Sequence, residues 1–351
     1  MKAVTFQGIE SVSVEQIPDP EILFDTDLIV KVHACAVCGS DLHVYHGREK
    51  GIDVHTAMGH EFSGTVVETG HGVKNFKTGD RVMSPFTTSC GSCFYCRLGL
   101  TCRCVHGQLF GWREAGAGLH GGQAEFVRVP LADQTLMRIP ESLDFETAVL
   151  LGDIIPTGFY IARRASINPG DVVAVVGCGP VGLMAALGAY HYGASVVFAV
   201  DRISSRLTAA ENFGAVPAHA DLPGGFDMLM DATEGRGADV VLEAVGSGSS
   251  LKLAYDLVRP GGTISAAGVC TEQNLPFSPV QAYDKNLTYR TGRCPARAMM
   301  TELVPLVEKD PGRFNKVITH HFLLEHGPAA YVQFAARTDG MLKVMLSPDK
   351  H

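Results

Sequence analysis

One hexapeptide, Gly177-Cys178-Gly179-Pro180-Val181-Gly182, constrains the fold more than any other stretch of the chain. It follows an uncharged apolar run (residues 172–176) and opens a second apolar stretch (181–192) with the composition of a helix. Strand, glycine turn and helix in that order, with Asp201 lying 19 residues beyond Gly182, fit the G-x-G-x-x-G pattern of a dinucleotide site. The three glycines differ in what they permit. Gly177 allows the tight turn, Gly179 lets backbone approach a pyrophosphate, and Gly182 lets helix and strand pack closely. Pro180 and Val181 lie where the turn meets the helix, whose free N–H groups and positive dipole end attract phosphate. Asp201 supplies an acceptor for both ribose hydroxyls, which favours NAD over its 2′-phosphorylated form.

The surroundings extend this reading. Apolar runs at 172–176, 196–200, 240–245 and 263–267 alternate with helical stretches at 181–192, 204–213 and 249–258, the last expected to stop at Pro260-Gly261-Gly262. That rhythm means a parallel, doubly wound α/β sheet. Before residue 150 the pattern differs, with short alternating segments at 28–32, 63–68, 81–84 and 124–129 separated by Gly, Pro and Asp. This predicts a β-rich domain with long loops. Residues 341–346 read as a last strand, so the α/β domain is expected to be inserted into the β-rich one. At 351 residues, two cores are the natural outcome.

The formal net charge of -8, without a basic run, argues against nucleic acid as a partner. The uncharged stretch 172–190 is nearly long enough for a bilayer, but Gly177 to Pro180 break it into strand, turn and helix. With no signal-peptide pattern at the N-terminus, a cytoplasmic chain with no membrane partner is expected.

Ten cysteines are present, five of them between Cys90 and Cys104. Cys90, Cys93, Cys96 and Cys104 run C-x2-C-x2-C-x7-C, and four thiolates close a tetrahedral zinc shell with no position left for chemistry. Cys102 is an alternative fourth ligand, and an iron–sulfur cluster is a weaker alternative because the last spacing is long and no proline follows. A dispersed second set holds Cys38, His60 with Glu61, and Asp153. One thiolate, one imidazole and one carboxylate hold zinc with an open position, where the ion polarises an alcohol oxygen so that hydride can leave the carbinol carbon.

Taken together, Gly59-His60-Glu61 with Gly64 and Val67, the four-cysteine lobe, Gly79-Asp80-Arg81-Val82, the glycine hexapeptide and Pro260-Gly261-Gly262 make the chain resemble the zinc-containing medium-chain alcohol dehydrogenases over nearly its whole length. The resemblance implies a GroES-like catalytic domain (1–153 and 295–351) with both zinc sites, enclosing a Rossmann NAD-binding domain (154–294). It implies catalytic zinc ligands at Cys38, His60 and Asp153, with Glu61 a transient fourth ligand or an outer support, and Asp41 orienting the His60 ring. The Gly152-Asp153 segment looks like bacterial secondary alcohol dehydrogenases and the formaldehyde dehydrogenase branch, many other relatives having cysteine at that position.

Ser40 matches the hydroxyl that takes the alcohol proton, and His43 the group that passes it on. Thr157, Arg206, Val245, Gly268, Val269 and Lys343 match cofactor contacts, Lys343 standing in for the basic residue that Gly39 replaces. Phe86, Leu109 and Trp112 match the walls of the substrate pocket. The implied protein is an NAD-linked, two-zinc dehydrogenase of primary or secondary alcohols and their aldehyde or ketone partners, assembled as a homotetramer or dimer. A formaldehyde dehydrogenase or dismutase, a polyol dehydrogenase, and an NAD-binding protein without the chemistry are the alternatives.

Overall fold

A computed structural model describes residues 1–348, so the last three residues expected in the first domain lie outside it. The chain divides into two compact units, Met1–Asp153 with the segment from Pro295 onward, and Ile154–Cys294.

The first unit is built on a seven-stranded sheet. Its path runs Ile318–Leu323, Lys343–Ser347, Leu28–Val37, Phe62–Thr69, Arg81–Ser84, Met137–Arg138, with Phe126–Val129 also paired to Leu28–Val37. The long strand Leu28–Val37 organises it. Its first half pairs with Phe126–Val129 (Leu28 opposite Val129), and its last residues pair with Lys343–Ser347 (Val37 opposite Val344). Phe62–Thr69 runs antiparallel along its other side, with Cys35 opposite Phe62. Val4, Leu28, Val30, Val32, Phe62, Val66, Phe110, Val127 and Tyr331 fill the core beneath. Each such side chain stabilises the fold by roughly 1.5–3 kcal/mol relative to exposure.

The second unit is a six-stranded, all-parallel sheet in the order Val216–His219, Val196–Asp201, Val172–Val176, Ala238–Glu243, Val258–Ala266, Thr288–Thr291. Numbered along the chain this is 3-2-1-4-5-6, the dinucleotide-binding order, whose ligand crevice opens at the carboxyl ends of the strands where the order reverses. Val172–Val176 is buried at every position, as a central parallel strand must be.

Two sequence expectations shift. Pro260-Gly261-Gly262 does not end a helix. The helix Gly248–Leu257 has already stopped, and the three residues lie within the strand Val258–Ala266. Pairing there jumps from Ala238–Val258 to Val240–Thr263, so the strand bulges, with Gly261 at φ +71°. Strands Val216–His219 and Thr288–Thr291 escaped the sequence reading because both carry polar or turn-forming residues. Among the described residues no single helix is long and apolar enough to cross a membrane, and residues 172–190 are a buried strand, a turn and a helix.

Candidate active site

In the first unit, register brings distant residues together. Cys38 follows the strand Leu28–Val37, and His60-Glu61 precede its antiparallel neighbour, with the Ala36 N–H donating to the Glu61 carbonyl. Asp153 ends the helix Phe145–Gly152. A Cβ on Gly152 would run into the Ser84 carbonyl, so only glycine lets this helix end lie so close to the sheet. Cys38, His60, Glu61 and Asp153 are all buried, and each offers a donor atom within 4.8 Å of the others. The His60 Nε2 lies 3.3 Å from Asp153 Oδ2, and the Cys38 thiol 3.6 Å from the same oxygen.

The ring of His60 is fixed from behind by Asp41 Oδ1, 3.1 Å from its Nδ1. The other Asp41 oxygen accepts the Cys38 N–H at 2.9 Å and the Gln123 side-chain amide at 3.4 Å. Gln123 also donates to the Ala36 carbonyl and accepts from the hydroxyl of the fully buried Tyr331 at 3.0 Å. Gln123 and Tyr331 thus support the His60 ring through Asp41. Sequence reasoning missed both, and the only available signal was Gln123 following Gly121-Gly122, where a close backbone approach is to be expected.

These groups cannot all carry their charges unaided. Burial raises the Cys38 thiol, and Glu61 and Asp153 raise it further. Burial likewise lifts the Glu61 carboxyl against the pull of Lys343. His60 is held well above its usual range: burial opposes its charge, but Asp41 and Asp153 outweigh that. Glu61 Oε1 is buried with no hydrogen-bond partner. A sulfur, an imidazole nitrogen and carboxylate oxygens, crowded and short of positive charge, are what a zinc ion relieves, so the residues fit that metal.

Ser40 Oγ lies 3.2 Å from His60 Nε2, at the edge of the donors. His43, one turn on in the short helix Asp41–Tyr45, is half-buried with an unpartnered Nδ1, and burial holds its imidazole below the usual range. Phe86 meets His60 edge-on at 6.4 Å between ring centroids, while Leu109 pairs with Thr87 beside it. Trp112 packs against the core of the first unit.

Lys343 differs from expectation. It is 1% exposed and bonded to Glu61, so its charge is matched inside the first unit. The pairing Val37–Val344 places it beside Cys38, inside the sheet.

The lobe gathers Cys90, Cys93, Cys96 and Cys104, and not Cys102, into a second donor cluster. N–H groups serve its sulfurs, from Cys90 to Cys104 Sγ at 3.2 Å and from Cys93 to Cys90 Sγ at 3.3 Å. Partial burial opposes it, but the Ser92 N–H and hydroxyl and the Cys93 N–H bring the Cys90 thiol down to about 6, whereas burial and Cys93 push Cys96 up to about 12. The Cys96 and Val105 N–H groups lower Cys93 too, while burial raises Cys104, so a metal would have to draw protons chiefly from Cys96 and Cys104.

In the second unit the glycine turn has the required shape. Gly177 sits at φ +93°, and Gly179 is the extended N-cap of the helix Pro180–His191, with no side chain capping its free N–H groups. A Cβ on Gly182 would strike the Gly177 carbonyl. Asp201 accepts from Cys178, Arg202 and Ile203 N–H groups at 2.8, 2.7 and 3.0 Å, and Arg206 reaches to 3.9 Å of it. Val245 and Val269 are exposed apolar residues at the ends of adjacent strands, and Gly268 packs on Gly246 between them. Thr157 is buried in the helix Ile154–Arg164.

Two family models match, the alcohol dehydrogenase GroES-like domain over residues 25–141 and the zinc-binding dehydrogenase over 180–309. A medium chain reductase/dehydrogenase from Acremonium is 47% identical over 81% of this chain and 98% of its own length. A probable zinc-binding alcohol dehydrogenase from Mycobacterium tuberculosis is 38% identical over 99% and 89%. The solved alcohol dehydrogenase from Thermus sp. ATN1 superposes with a TM-score of 0.92 at 37% identity, covering 99% of both chains. The chain belongs to the zinc-type alcohol dehydrogenases of the medium-chain dehydrogenase/reductase family, and is an oxidoreductase of that class.

Proposed function

We propose that the chain is an NAD-linked alcohol dehydrogenase that oxidises primary or secondary alcohols reversibly, with catalytic zinc held by Cys38, His60 and Asp153 and structural zinc by Cys90, Cys93, Cys96 and Cys104. The observation that carries this is the buried set of Cys38, His60, Glu61 and Asp153 donors, short of positive charge and braced by Asp41. Zinc, when bound there, supplies a Lewis acid for an alcohol oxygen.

The chain's own groups do the rest. Asp41 fixes His60 in the tautomer whose Nε2 faces the donors. Ser40 takes up the alcohol proton, and the His43 imidazole, neutral near pH 7, accepts it for release to solvent. Phe86 walls the apolar side of the substrate. NAD is favoured because the Asp201 carboxylate, ending the strand Val196–Asp201, would repel a 2′-phosphate. Arg206 beside it argues the other way, and a zinc-binding dehydrogenase of Sinorhizobium meliloti, 28% identical with a TM-score of 0.82, binds NADP.

NADH formation from a panel of primary, secondary and polyol alcohols, with metal counted per chain, tests the reading. Chelator-sensitive turnover with about two zinc ions per chain is expected from the two donor sets. Turnover that survives complete loss of zinc would overturn it.

A further inference from the structure

The donor cluster holds one negative charge more than zinc needs. The Cys38 thiolate and the Asp153 carboxylate already balance a dication, and Glu61 adds a third anion to the same buried group. The cation facing them is Lys343, 1% exposed, on the strand whose Val344 pairs with Val37, the residue before Cys38, and bonded through its Nζ to Glu61 Oε2. The other Glu61 oxygen, Oε1, is buried and has no partner. Glu61 is therefore divided between an ammonium and the donor cluster.

We propose, on the reading that this cluster holds zinc, that Lys343 is a positioning residue that sets how strongly Glu61 competes for the metal's open position. With one oxygen committed to Lys343 and its charge balanced there, Glu61 is a weak donor that an incoming ligand displaces. Without the ammonium, the carboxylate is a buried, uncompensated anion whose remaining partner is the metal. It then closes the shell, and the position meant for substrate is lost. The inference concerns ligand exchange, so it is readable without turnover.

The test replaces the zinc at this cluster with cobalt(II) and follows its visible absorption while azide is titrated into the complete protein. Lys343→Met should weaken azide binding by roughly 10- to 100-fold, the usual scale for losing a group that supports a ligand. Lys343→Arg, which keeps the charge, should retain the parent affinity. Glu61→Gln combined with Lys343→Met should restore it, because the competing anion is gone. Equal azide affinity in Lys343→Met and the parent would overturn the proposal, as would an affinity left weak in the double variant. If Lys343→Met does not fold, Glu61→Gln alone decides: stronger azide binding than in the parent supports the competition, and unchanged binding refutes it. A parent protein that takes up no cobalt at this cluster would instead overturn the zinc assignment on which the proposal stands.

Discussion

Single residues serve more than one purpose in this chain. Asp41 accepts the Cys38 N–H, orients His60 and holds Gln123, so one carboxylate ties the backbone of one donor residue to the ring of another. His120 shows how a half-buried residue makes stability depend on pH. Its Nδ1 accepts the Ala57 N–H at 3.0 Å, and Arg113 and Arg128 lie near it. Burial and these two cations depress the imidazole from 6.5 to about 4. The folded state thus binds His120's proton less readily than the unfolded state does. The stability this group contributes is fully present above pH 6.5 and drains away as pH falls towards 4. The full shift corresponds to about 3 kcal/mol, and solvent screening of the partly exposed ring reduces it to roughly 2. Urea unfolding of the parent and of His120→Gln at pH 7.5 and pH 4.5 should show a smaller acid loss in the variant. Equal losses would mean that His120 is not a source of the acid sensitivity.

At the scale of elements, what the sequence disclosed follows from whether a signal is local. The lobe was legible because four cysteines within fifteen positions can close on one ion whatever the rest of the chain does, and only the tertiary path decided between Cys104 and Cys102. Local strand–turn–helix chemistry likewise made the glycine turn readable. Lys343 was misplaced for the opposite reason. Its position in the chain suggested a cofactor contact, but its partner is set by the Val37–Val344 register, which no local pattern encodes. Gln123 and Tyr331 were invisible because a neutral amide and a core tyrosine acquire a role only when a fold sets them behind Asp41. The lobe's own contribution is separable from chemistry. Cys93→Ala leaves three sulfur donors, so one zinc per chain should be lost and thermal stability should fall, while turnover per molecule still folded stays near the parent value. A stable, two-zinc variant with lost turnover would contradict the structural assignment.

For the whole molecule, the division at Asp153 and Pro295 matters more than any one contact, since the donor cluster belongs to one compact unit and the dinucleotide turn to the other. Each unit can therefore be perturbed alone, and cofactor choice is a property of the second. There Asp201 has two roles that substitution must not confuse. Its oxygens anchor the turn by accepting the Cys178, Arg202 and Ile203 N–H groups, and on the proposed reading its charge would face the ribose. Asp201→Ala would remove both and loosen the turn for either cofactor. Asp201→Asn keeps one oxygen to accept from the backbone and removes the charge that repels a 2′-phosphate, while Arg206 remains within reach. The ratio of kcat/KM for NAD to that for NADP should therefore fall by roughly tenfold or more in Asp201→Asn, equivalent to about 1.4 kcal/mol or more of discrimination. Most of that change should come from a lower KM for NADP rather than from kcat, because the hydride step involves donors in the other unit. An unchanged ratio would place the discrimination elsewhere on the second unit, with Arg202 and Arg206 the next positions to exchange.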